Sequence, residues 1–100
     1  MMRIIFTPKA IEDLEEIKSY IAKDSEENAL NYVRRIFDKI DKIADNPDFG
    51  ISLERKWGIP TNYRMLICES HLAFYKVEGN NVRIYRVLHS KRNCISILGI

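Results

Sequence analysis

The stretch from Asn62 to Asn93 constrains the fold of this chain most. It reads Asn-Tyr-Arg-Met-Leu-Ile-Cys-Glu, then Ser-His-Leu-Ala-Phe-Tyr-Lys-Val-Glu, then Gly-Asn-Asn, then Val-Arg-Ile-Tyr-Arg-Val-Leu-His-Ser-Lys-Arg-Asn. Three runs rich in β-branched and aromatic residues are parted by two turn signals, the pattern of an antiparallel meander. Glu69-Ser70 serves as a two-residue hairpin loop, and Gly79-Asn80-Asn81 is a strong turn. A two-residue loop at Glu69-Ser70 puts Arg64, Leu66 and Cys68 on one face with His71, Ala73, Tyr75 and Val77. Tyr63, Met65 and Ile67 then share the other with Leu72, Phe74 and Lys76. The register of the last strand stays open, because the Gly79–Asn81 loop holds either two residues or three.

The chain before the meander reads as helix. Arg3–Phe6 is a short strand, and Thr7-Pro8 starts a helix with Thr7 as N-cap and Pro8 at the first helical position. Ile11, Leu14, Ile17 and Ile21, with Ala10 beside them, form one apolar stripe on a charged helix running to about Lys23. Ser25 caps a second helix, which Asn46-Pro47 ends. Its apolar set (Ala29, Leu30, Tyr32, Val33, Ile36, Phe37, Ile40, Ile43, Ala44) predicts cover on more than one side. The short connection at Asp24-Ser25 predicts an antiparallel helical hairpin. Residues 46–60 read as loop with a short strand around Ser52–Trp57, and the apolar tail from Cys94 as an edge strand or a cover for one end of the core. The expected fold is α+β: a strand, a helical hairpin, then a three- to four-stranded antiparallel sheet with the helices on one face.

One hundred residues make one domain over 1–100. No apolar run reaches the ~18–20 residues needed to span a bilayer, and the N-terminus does not read as a signal peptide, so the expected location is cytoplasmic. Cys68 and Cys94 have no spacing for a disulfide framework or a zinc site and read as apolar fillers or free thiols. No metal site and no cofactor are expected, since glycine-rich phosphate loops and nucleophile elbows are absent from the sequence. Charge is uneven. Residues 1–53 carry 8 Lys/Arg against 11 Asp/Glu, and residues 54–100 carry 8 against 3, so the sheet half is basic. A half-apolar, basic second face of the sheet predicts a contact surface for an acidic partner. The cations also allow one catalytic reading, metal-free RNA cleavage. Arg64 and Arg86 would supply charge, His89 would be the acid or base, and Lys91 and Arg92 would hold phosphates.

Taken together, Thr7-Pro8-Lys9-Ala10, Asn46-Pro47, Gly50, Tyr63-Arg64, Phe74-Tyr75, Val82 to His89 and Arg92-Asn93 make the chain resemble the RelE/ParE toxin superfamily of type II toxin–antitoxin systems. The resemblance implies a cognate antitoxin, a toxin–antitoxin hetero-oligomer, and contacts to the antitoxin through residues such as Tyr75, Arg83 and Tyr85. For the mRNA-cleaving branch it implies Arg64 as a catalytic arginine and a basic segment at Arg55 and Lys56, acting on the ribosome and its mRNA. That branch carries a terminal tyrosine, and this chain has none after Tyr85. The Arg-Val-Leu-His ending followed by a basic pair looks more like the ParE branch, which implies inhibition of DNA gyrase.

Overall fold

The computed structural model describes residues 2–100. Its elements in order are β1 (Arg3–Phe6), α1 (Pro8–Ala22), α2 (Glu26–Asp45), β2 (Ile51–Ser52), α3 (Leu53–Trp57), β3 (Arg64–Cys68), β4 (His71–Glu78), β5 (Asn81–His89) and α4 (Cys94–Leu98). The class is the expected α+β, with five strands in the order β1-β5-β4-β3-β2. Two strands join the meander: the expected β1, which pairs parallel with β5, and the two-residue β2 on β3. Parallel pairing of β1 left no trace in the sequence, because a four-residue strand does not name its partner.

Both helices of the hairpin start at the expected caps. Thr7 Oγ1 accepts the Ala10 N–H, and Ser25 Oγ accepts that of Asn28. The stripes of α1 and α2 pack on one face of the sheet around Ile36, Ile40, Ile43, Tyr75 and Ile84. The wide stripe of α2 does not become two covered sides. Leu30 is 50% and Phe37 38% exposed, so one face is buried and its flank stays open. The β3–β4 hairpin has the two-residue loop, with Arg64 opposite Tyr75 and Cys68 opposite His71. The β4–β5 loop also holds two residues, since Glu78 faces Asn81. A β-bulge then resets the register: Tyr75 faces Ile84, but Phe74 faces Arg86.

The second face is where expectation and structure part. It is not left bare. Leu53 of α3, Cys94 of α4 and the tail residues Ile97, Leu98 and Ile100 form a second core cluster with Tyr63, Met65, Phe74 and Leu88. The segment around Ser52–Trp57 is a helix turn rather than a strand. Ser52 caps its start, and Gly58 closes it in the left-handed region at φ 68°. The tail repeats this pattern between Asn93 and Gly99, so it forms a helix rather than an edge strand. These paired caps, about six residues apart, fix both turns, and in the tail they outweigh the strand propensity of Ile95 and Ile97 between them.

Candidate functional site

Past Phe6 the outer edge of β5 has lost β1 as its partner, and α1 takes over that edge. Thr7 Oγ1 donates to the Tyr85 carbonyl at 2.9 Å, and Asp13 Oδ2 accepts the Val87 N–H at 3.0 Å. Asp13 is 6% exposed and also accepts two hydrogen bonds from Arg86, at 2.8 and 3.0 Å. Arg86 is thus a structural cation, bound in a bidentate pair to a carboxylate that closes a sheet edge.

Arg64 is held at the opposite edge. Its guanidinium donates to the Gly50 carbonyl at 2.9 and 3.2 Å and to the Asp48 carbonyl at 3.2 Å, fixing the loop after α2. Tyr75 holds the same loop from inside. Its hydroxyl accepts the Gly50 N–H at 2.9 Å and donates to the Pro47 carbonyl at 2.8 Å. Burial, the largest influence, raises the Tyr75 pKa, so the phenol stays protonated. Tyr75 is 0% exposed and offers no surface to a partner, which corrects its assignment as an antitoxin contact.

Arg83 and Tyr85 are half-exposed on the second face and share one acceptor. Arg83 Nε donates to Glu78 Oε1 at 2.8 Å, and the Tyr85 hydroxyl donates to Glu78 Oε2. The hydrogen bonds from Tyr85 and Arg83 hold the Glu78 carboxyl below its ordinary range. Lys76 Nζ lies 4.3 Å from the Tyr63 ring centroid and 5.2 Å from that of Tyr85.

Arg55, Lys56, Lys91 and Arg92 are exposed, and none of the four has an ion-pair partner among the described residues. Arg55 and Lys56 lie on α3 beside β2, whereas Lys91 and Arg92 follow β5. Three strand spacings, ~14 Å, part β2 from β5.

His89 has a second histidine as its neighbour. It pairs with His71 across β4 and β5, and the two rings meet edge to face with centroids 5.1 Å apart. Tyr32 of α2 completes the group, its hydroxyl 2.6 Å from His71 Nδ1. The three line a cleft of about 540 Å³ between α1, α2 and the ends of β4 and β5, whose lining also includes Ile17, Val87 and Arg92. Cys68, opposite His71, is fully buried, and burial pushes its thiol up to about 11, so it is not a nucleophile. No group of three or more His, Cys, Asp or Glu side chains among the described residues is placed to hold a metal.

Burial lowers the His71 pKa from its ordinary 6.5, with His89 as a second, smaller cause. The folded state therefore binds fewer protons here than the unfolded chain. Stability is full above about pH 6.5 and falls as pH drops toward the folded value. Denaturant unfolding between pH 7.5 and 5 is expected to show this slope, and His71→Gln to reduce it. An unchanged slope in the variant would show that His71 is not its source.

No curated protein sequence matches the chain significantly. Among solved structures, it is 26% identical to the chromosomal ParDE toxin–antitoxin system of P. aeruginosa, with TM-score 0.74 over 89% of this chain and 96% of that one. The YoeB-YefM toxin-antitoxin of Staphylococcus aureus matches in fold, at 22% identity and TM-score 0.58 over 89% and 97%. So does the YoeB/ParE toxin of Agrobacterium tumefaciens, at 16% identity and TM-score 0.59 over 88% and 98%. The sequence model of the ParE toxin of the type II toxin-antitoxin system parDE matches residues 4–94. The α1-closed sheet edge, the helical hairpin and the meander all fall within that match, and the chain belongs to the ParE toxin family of type II toxin–antitoxin systems.

Proposed function

We propose that this toxin acts in the cytoplasm by inhibiting DNA gyrase and is held inactive in a hetero-oligomer with a cognate antitoxin. The family match and the resemblance to a ParDE system support the pairing with an antitoxin. The dispersal of the nuclease candidates favours gyrase over mRNA. Metal-free RNA cleavage needs base, acid and cation within hydrogen-bonding reach of one phosphodiester. Arg64 is in register with Tyr75 and Ile84, whereas His89 is in register with His71 and Cys68. That offset is four residues along β3, ~13 Å, and β3 and β5 lie a further ~10 Å apart. Arg86, between them, is turned to Asp13.

Induction of the chain in growing cells tests this. Expected are growth arrest, gyrase-dependent DNA breaks and intact messages, with growth restored by the antitoxin gene encoded alongside. Transcripts cut within translated codons, with undamaged DNA, would overturn the gyrase reading in favour of a ribosome-dependent endonuclease.

A further inference from the structure

The cleft between α1, α2 and the ends of β4 and β5 has hydrogen-bond donors with nothing to donate to. The Lys91 N–H donates to His89 Nδ1 at 3.1 Å, so the neutral His89 ring carries its proton on Nε2. The Ser70 N–H donates to the Tyr32 hydroxyl oxygen at 3.1 Å. The Tyr32 hydroxyl and His71 Nδ1 are 2.6 Å apart, and with Tyr32 donating, the His71 proton sits on Nε2 as well. Neither Nε2–H has an acceptor among the described residues, and neither is a buried orphan, so both reach solvent on residues that line the cleft. Arg92, which also lines the cleft, makes no ion pair among those residues.

The facing wall sets the charge that fits. Asp13 is already engaged by Arg86 and the Val87 N–H. Glu16, exposed on the rim, opposes a doubly charged phosphate. Ile17, Ile21 and Val87 give the cleft an apolar floor, with the Tyr20 ring at its edge. A volume of about 540 Å³ lies in the usual range for a recognition pocket. Two N–H donors, one guanidinium and an apolar floor match a single carboxylate carried beside an apolar group.

We propose that this cleft takes an acidic side chain of the antitoxin together with the apolar side chain next to it. The apolar group rests on Ile17, Ile21 and Val87, and the carboxylate accepts from the two Nε2–H groups and Arg92. The assignment rests on the reading that an antitoxin is the partner. The other titratable groups around the imidazoles are Tyr32 of α2, Tyr20, Asp13 and Glu16 of α1, Cys68 of β3 opposite His71, Lys91 beside His89, and the exposed Arg35–Glu69 pair beside Ser70.

Two measurements test it. The first titrates the free chain with 3-phenylpropionate and with 3-phenylpropanamide while following the histidine ring signals by NMR. The carboxylate is expected to shift both rings and raise their titration midpoints, and the amide to do neither. The second measures affinity for the antitoxin encoded alongside, using the toxin variants His71→Phe, His89→Phe and Arg92→Met. Each is expected to weaken binding about tenfold, the effect of losing a hydrogen bond to a charged group. Wild-type affinity is expected to rise from pH 8 to 6, and the double histidine variant to lose that rise. Affinities within twofold of wild type and a flat wild-type pH profile would overturn the proposal, even if 3-phenylpropionate binds. So would equal responses to acid and amide. Should a histidine variant misfold, exposed Arg92→Met and the wild-type pH profile still decide. If the wild-type chain forms no complex with the antitoxin, the functional reading itself fails.

Discussion

Replacing Asp13 with alanine is expected to lower the unfolding free energy by about 3 kcal/mol, the low end of the cost of breaking a buried ion pair from one side. The low end applies because Arg86 keeps 17% of its side chain exposed and recovers some hydration. The loss is larger than that of an ordinary surface pair because Asp13 serves three donors: Arg86 Nε, Arg86 Nη2 and the Val87 N–H. Its removal leaves a buried backbone donor without a partner, at the part of β5 where β1 has ended. At this chain length the shift in Tm is roughly 12–24 °C. The double variant Asp13→Ala, Arg86→Leu separates the causes. It is expected to recover part of the loss, because the unpaired guanidinium is gone, but not the part due to the Val87 N–H. Equal Tm values for wild type and Asp13→Ala would show that the pair contributes nothing to stability.

Asp13 also shows how far the sequence could be read. It stands three residues after Ala10 and four before Ile17, on the apolar stripe of α1. A carboxylate in that position signals a buried partner, but the partner lies 73 residues away, and nothing local names it. The caps at Thr7 and Ser25 and the stop at Asn46-Pro47 were legible because they are local chemistry within a few residues. The face assignment of β3 and β4 followed from the loop length, with Cys68 opposite His71 as the two-residue turn requires. The face assignment of β5 did not follow, because the bulge at Tyr85 depends on tertiary packing. Without that register His89 could not be placed beside His71, and the cleft they line stayed invisible. The second face was misjudged for another reason. Two helices of five residues are too short to show a period, so α3 reads as a strand, and the tail reads as an edge strand or a cover for one end of the core without showing its helix. The basic patch that a bare sheet would have shown shrinks to the Lys76, Arg83 and Tyr85 group.

Gly50→Ala is expected to destabilise the protein by about 3 kcal/mol, combining overpacking with the loss of buried hydrogen bonds. A β-carbon there would overlap the Tyr75 hydroxyl, lie 2.6 Å from Tyr75 Cε1 and 2.9 Å from the Met65 carbonyl oxygen. The carbonyl belongs to a paired strand and cannot yield, so the Tyr75 ring must move. It then loses both its bond to Pro47 and the Gly50 N–H, while the Arg64 grip on the Gly50 carbonyl shifts with the loop. Tyr75→Phe removes the hydroxyl but keeps the ring, and its cost is expected to be about 2 kcal/mol, the value of the two hydrogen bonds it makes. In the double variant the alanine meets one atom less, so the two effects are expected to be less than additive. Unfolding curves of the four proteins give that coupling directly. The same series bears on Arg64. If its role is to fix this loop, Arg64→Ala lowers stability without adding to the effect of Gly50→Ala, and any loss of toxicity follows the loss of folded protein. An Arg64→Ala protein that is as stable as wild type but inactive would instead make this arginine a contact to the target.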